Sequence, residues 1–164
     1  MRFNVLMVSV ICVSACEKEQ MESCNPSDVP KGTATLNLDG ETLNYDSTWI
    51  MTGSTLQLNL EGIDIDSMIT IRLNQSDDGT AVADLSSFPA SYSLGDAQSG
   101  SATVYPPSES TSATTQADDI GYFELTTWDD TLMGCFAFTV LGQDGQLFEV
   151  DGGLINASES TLNQ

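Results

Sequence analysis

The segment GYFELTTWDDTLMGCFAFTVLGQDGQLFEVDGGLIN, residues 121–156, carries the clearest fold signal in the chain. It contains three runs rich in aromatic and β-branched residues, and these runs are separated by Asp129-Asp130 and by Asp144-Gly145. Such runs between turn-forming pairs are typical of antiparallel strands joined by tight turns. The segment therefore predicts a three-stranded meander.

The middle run of this segment alternates with a period of two. This alternation predicts a strand with one face in the core and the other face less apolar. The core face would carry Phe136, Phe138 and Val140, and the other face Cys135, Ala137 and Thr139.

The first half of the body shows the same signals. Asp39-Gly40 separates ATLNL from ETLNY, and Asp-Gly suits the positive φ angles of a two-residue type I′ turn, so a hairpin is predicted. TLQLNLEG (55–62) and MITIRLN (68–74) follow, again with a period of two, and Asp78-Gly79 marks another turn.

The stretch 98–119 differs, because it is rich in Ser, Thr, Ala and Pro. Within it, SATVY (101–105) predicts a short edge strand, and the remainder predicts a long solvated loop. No window shows a capped helical period. The chain therefore predicts an all-β fold, an antiparallel β-sandwich or flattened barrel of about seven to ten strands with few helices.

Composition restricts the chemistry. The 164 residues suit one domain, with 24 acidic residues, four basic residues, no histidine and a formal charge of −20. Such a charge repels phosphate, so nucleic acid and anionic lipid headgroups are not expected partners. The absence of histidine excludes Ser-His-Asp and Cys-His relays as well as histidine-ligated zinc or haem, and no cofactor is expected.

Residues 1–15 have the organisation of a secretory signal peptide: Arg2, an apolar run over 5–13, then Ser14 and Ala15. The run is shorter than the roughly 20 residues of a membrane-spanning helix. The alternative is a buried strand that begins the fold. We expect a signal peptide.

Val13-Ser14-Ala15-Cys16 resembles the lipobox of bacterial lipoproteins, in which the cysteine is lipidated and becomes the first mature residue. The resemblance implies lipidation of Cys16 and a membrane anchor of acyl chains. The mature chain would have three bases and a charge of 3 − 24 = −21. Cleavage by an ordinary signal peptidase is the alternative. The acid-rich tract 16–22 looks like signals that carry some lipoproteins of Bacteroidetes-type bacteria to the cell surface. We expect the protein at the outer membrane, either on its periplasmic face or on the cell surface.

Two cysteines remain if Cys12 leaves with the signal peptide and Cys16 carries lipid. In an oxidising compartment Cys24 and Cys135 are then expected to form a disulfide that pins an acidic tether, residues 16–31, to the domain. The alternative is two unrelated thiols.

The predicted domain spans 32–158, followed by a tail at 159–164. Several short pieces of this domain form a pattern: Asp39-Gly40, Trp49, Tyr92-Ser93-Leu94, Gly121-Tyr122-Phe123, Gly134-Cys135-Phe136-Ala137-Phe138 and Asp151-Gly152-Gly153-Leu154. The pattern resembles an uncharacterised family of small bacterial envelope lipoproteins, although Cys135 stands where that family usually has threonine and Leu154 replaces an aromatic residue. The resemblance implies an all-β envelope domain and no established activity.

Asp64 and Asp66 are weak calcium candidates, because neither they nor any other acidic pair has EF-hand spacing. Asn156-Ala157-Ser158 matches a glycosylation sequon, which we interpret as chance. The remaining acidic pairs are Asp77-Asp78, Asp118-Asp119 and Asp129-Asp130, and the rings that would suit a sugar platform, or cover the ends of a core, are Trp49, Trp128, Tyr92, Tyr105 and Tyr122.

The sequence favours a lipid-anchored, non-catalytic binding or structural module, with an envelope protein or a glycan as its ligand. Carbohydrate or calcium binding is one alternative. A carboxylate-dependent hydrolase such as a glycosidase is another, and its two acids would have to converge in a cleft. A purely structural envelope role, with the acidic surface maintaining solubility, is the third.

Overall fold

The structure is a computed structural model that describes residues 24–106, 112–116, 121–142 and 145–161. The predicted signal peptide, Cys16 and the pair Asp118-Asp119 lie outside these ranges. Strands make up 61% of the structure, and no helix among the described residues reaches seven residues. The predicted antiparallel all-β class is therefore confirmed. Within the described ranges, no helix has the length and apolar character needed to cross a membrane.

The described residues form ten strands and two short 3₁₀ helices. The helices are Pro26–Asp28 and Val82–Asp84. The strands are β1 Thr33–Leu38, β2 Glu41–Thr52, β3 Thr55–Gly62, β4 Met68–Leu73, β5 Ala90–Ser93, β6 Gly100–Tyr105, β7 Ala113–Thr114, β8 Gly121–Trp128, β9 Leu132–Leu141 and β10 Leu147–Glu159.

All ten strands belong to one curled sheet in the order β5-β8-β9-β10-β1-β2-β3-β4-β6-β7. Neighbours are antiparallel, and a short parallel pairing also joins the end of β10 to β2. The residues after β5 link opposite sides of the curl, because Leu94 N–H donates to Gly121 O at 3.0 Å and Gly95 N–H donates to Gly100 O at 2.9 Å. The two flanks of the sheet therefore meet at a seam.

The predicted β1–β2 hairpin and the β8–β9–β10 meander are both present. Asp39 and Gly40 have φ angles of 51° and 84°, as the type I′ prediction requires. The prediction that SATVY forms an edge strand is wrong. β6 lies between β4 and β7, and the two-residue β7 occupies the edge.

The β3–β4 half of the core is an aliphatic ladder. The alternating apolar residues of the two strands are fully buried, and they lie directly opposite one another. The facing pairs are Leu56 with Leu73, Leu58 with Ile71 and Leu60 with Ile69.

The meander half of the core is built from rings and glycines. A Cβ added at Gly153 would lie 2.6–2.7 Å from ring atoms of Phe136, and one at Gly134 would lie 2.8 Å from the Phe123 ring. The Phe123 and Phe136 rings are stacked, with centroids 6.1 Å apart. Each glycine therefore provides the space that a ring from the neighbouring strand occupies.

The outer face of β9 and β10 is covered by the chain's own N-terminal segment. Cys24 and Cys135 form the predicted disulfide, with Cα atoms 5.7 Å apart, and Cys135 is fully buried on the face opposite Phe136. Asn156 Nδ2 donates to Val29 O at 2.9 Å beneath this cover. The asparagine of the sequon is thus a buried packing residue.

Candidate functional site

The five candidate aromatic residues do not form one platform. Trp49 and Trp128 meet edge to face, with centroids 5.5 Å apart, and pack against the core. Tyr92 is fully buried and Tyr122 is half-buried, whereas Tyr105 is 42% exposed. The tryptophan pair therefore covers the core, and Tyr105 is the tyrosine of this set that faces solvent.

The candidate calcium residues Asp64 and Asp66 both lie exposed in the β3–β4 loop. Asp64 has a φ of 66°, in the left-handed region that Asp tolerates in turns. Among the described residues, no group of three or more Asp, Glu, Cys or His side chains is placed to hold a metal ion. In the described part of the chain, the two aspartates therefore have no third acidic side chain placed to complete a calcium site.

Asp77 and Asp78 are engaged in local structure. Asp77 N–H donates to Ser91 O at 2.7 Å, and its carboxylate accepts from Ser93 N–H at 2.7 Å. Asp77 therefore pairs with the side of β5 that faces away from β8. Hydrogen bonds from the Ser76 hydroxyl and from Thr80 lower the pKa of Asp78 below its usual value.

One cleft brings an exposed ring and two exposed carboxylates together. It has a volume of about 480 Å³ and lies where the β3–β4 loop meets the end of β6. We call it the Tyr105 cleft. Its lining residues are Glu61, Gly62, Ile65, Asp66, Ser67, Met68, Tyr105 and Pro106.

Sheet register places three of these residues in a row. Glu61 pairs with Met68, and Met68 pairs with Tyr105, across β3, β4 and β6. Neighbouring strands are about 4.8 Å apart, so the backbones of Glu61 and Tyr105 lie about 10 Å apart on either side of Met68. Glu61 and Asp66 are exposed, and Met68 is half-buried.

The loop above this row is held in place by hydrogen bonds. Gly62 N–H donates to Ser67 O at 2.8 Å, and Ile63 N–H donates to Asn44 O at 3.0 Å. The Ser67 and Tyr45 hydroxyls are 3.2 Å apart, and burial raises the pKa of Tyr45. The neutral Tyr45 hydroxyl thus supports the base of the cleft.

A second cleft, of about 400 Å³, lies at the seam and is lined by polar residues that include Gln75, Asp77, Asp96 and Ser99. Its polar groups are already paired. Gln75 Nε2 donates to Gly79 O at 2.6 Å, and Asp96 accepts from Gln98 N–H at 2.9 Å. Hydrogen bonding within the seam accounts for this polarity.

Sequence reasoning did not identify Glu61 or Met68 as site residues. Each is an ordinary outward position on a strand, and only the order and register of the strands bring them beside Tyr105. The sequence indicates Asp66 as a weak calcium candidate and Tyr105 as a ring for a sugar platform, but it does not predict that the two residues share a cleft.

Comparisons of the chain with protein-family models, with curated proteins and with solved structures find no match.

Proposed function

We propose that this protein is an exported lipoprotein, anchored through Cys16 to the bacterial outer membrane, whose β domain is a non-catalytic binding or structural module. The proposal extends the lipobox resemblance of Val13-Ser14-Ala15-Cys16 and the signal-peptide pattern before it.

The disulfide is the observation that carries the proposal. Disulfides persist in oxidising compartments and are rare in the reducing cytosol. The Cys24–Cys135 pair joins positions 111 residues apart and lies where the N-terminal segment packs on the sheet. It therefore supports export, and it engages neither Cys12 nor Cys16.

Binding is favoured over catalysis by the state of the acidic residues. A carboxylate-dependent hydrolase needs an acid whose pKa is raised by burial or by a second carboxylate. The acids of the Tyr105 cleft, Glu61 and Asp66, are exposed to water, and the pKa of Asp78 is lowered. An open cleft with an exposed ring suits reversible binding of a ligand.

Intact mass spectrometry of protein extracted from bacterial membranes tests the anchor. We expect a chain that begins at Cys16 and carries acyl chains, and reduction should add two daltons as the disulfide opens. The matched Cys16→Ser variant should lose the acyl mass and leave the membrane fraction.

A mature chain that begins at Met1 or Ser14, or an unmodified Cys16, would contradict the lipoprotein proposal. Separation of the inner and outer membranes tests the proposed outer-membrane location. That proposal is wrong if the acylated chain remains with the inner membrane.

A further inference from the structure

We propose that the Tyr105 cleft binds a saccharide that is neutral or carries an amino group. The inference rests on the proposed function as a binding module, and it names the class of ligand.

The ring and the methionine supply an apolar surface for the sugar. Tyr105 is 42% exposed, and Met68 lies beside it in the same row. The C–H face of a pyranose packs on such a surface much as another apolar group does, and each buried contact removes apolar area from water. In this arrangement a sugar ring would lie over Met68, between Tyr105 and Glu61.

The carboxylates supply hydrogen-bond acceptors around that surface. Ionised Glu61 and Asp66 accept only, whereas every sugar hydroxyl can donate. Charge-assisted hydrogen bonds are stronger than neutral ones, so two such acceptors orient a polyol. The support of the loop by Ser67 and Asn44 keeps the β3–β4 side of the cleft in place for binding.

The charge of the site excludes acidic sugars. None of the residues that line the cleft is Lys or Arg, and the chain carries a formal charge of −20. A uronate or a sialic acid would bring a third negative charge beside Glu61 and Asp66 with no cation to pair it. An amino sugar would instead place its ammonium group beside two carboxylates.

The test uses the lipidated protein in a zwitterionic detergent without a sugar headgroup, because glucoside or maltoside detergents would compete for the site. The protein is applied to an array of neutral, amino-sugar and anionic oligosaccharides, and the affinity of the strongest hit is measured by calorimetry. We expect hits among the neutral and amino sugars only.

Tyr105→Ala should weaken the strongest hit about tenfold, because the stacking surface is lost. Tyr105→Phe keeps the ring and should retain the affinity within about twofold. Leu147→Ala removes another exposed apolar side chain, on β10, and serves as the control. Glu61→Gln removes one of the two carboxylates and should reduce any preference for amino sugars over neutral ones.

The inference is overturned if no oligosaccharide binds, if anionic sugars bind best, or if Tyr105→Ala binds as the wild type does. Each of these outcomes leaves the mass of the mature chain unchanged. A chain that lacks the lipid but binds the sugar would instead overturn the anchor and support the cleft.

Discussion

The β3–β4 region and the C-terminal meander form two halves of one core by different means. Leu56, Leu58 and Leu60 face an aliphatic partner strand, and every contact follows from alternation. In the meander, Phe136 lies over Gly153 and its neighbouring rings are stacked. The aliphatic half is regular, whereas the aromatic half depends on the absence of side chains at particular positions.

The outer faces of the two regions differ as well. Cys24 and Val29 cover the meander, so Cys135 and Asn156 are buried on the side away from the core. In the row of Glu61, Met68 and Tyr105, the glutamate and the tyrosine ring are exposed and the methionine is half-buried. Within the described residues, one outer face is therefore covered by the N-terminal segment and the other is exposed at Glu61 and Tyr105.

Loss of the disulfide should have the largest effect on stability. The bond closes a loop across 111 residues, which in the chain-entropy model contributes about 4–5 kcal/mol to the free energy of unfolding. Urea unfolding of the Cys24→Ala, Cys135→Ala double variant measures it. Reduction of the wild type should reproduce the loss, and an unchanged midpoint in reductant would show that the N-terminal cover does not depend on the bond.

Gly153→Ala should destabilise the meander by about 2 kcal/mol, because the new Cβ overlaps the Phe136 ring. A double-mutant cycle with Phe136→Leu measures the coupling by urea unfolding. In the Leu background the same glycine substitution should cost much less. Additive effects of the two substitutions would rule out the ring as the cause.

Tyr92→Phe should stabilise the protein by about 1 kcal/mol at neutral pH, because the buried Tyr92 hydroxyl has no hydrogen-bond partner in the described structure. Burial, with smaller contributions from Asp78 and Asp77, raises the pKa of Tyr92 to about 12. In the unfolded chain this tyrosine ionises near pH 10. The contribution of the Tyr92 ionisation to the free energy of unfolding is therefore fully present below about pH 10, and it is lost as the pH rises towards 12.

The Phe variant lacks this ionisation, so its advantage should widen between about pH 10 and 12 in chemical unfolding experiments. Parallel stability curves for the two proteins over that range would contradict the assignment to Tyr92.

Tyr105→Ala and Glu61→Gln should have the smallest effect on folding, within about 0.5 kcal/mol, because both side chains are exposed. Thermal unfolding at neutral pH measures the change in the free energy of unfolding. A large loss for either variant would show that the open face contributes to folding, as the covered face of the meander does.

Alternation was enough to predict β3, β4 and the β8–β9–β10 meander, because half-buried strands impose it on their sequences. The disulfide was predicted because Cys24 and Cys135 are the two cysteines that remain if Cys12 leaves with the signal peptide and Cys16 is lipidated. β7 was missed, because Ala113–Thr114 is a two-residue strand in a Ser/Thr-rich segment and has no pattern of its own. The Glu61–Met68–Tyr105 row was missed because cross-strand neighbours depend on sheet order, which alternation does not specify.

The pairing of Asp77 with β5 also affects the tendency of the protein to aggregate at high concentration. Ser91 O and Ser93 N–H, which would otherwise be free to pair with a second chain, are already bonded to Asp77. An incoming strand would have to displace both a backbone group and a charged carboxylate. Aggregation through this edge is therefore slowed by the cost of first opening the loop, which favours a protein that remains monodisperse at high local concentration.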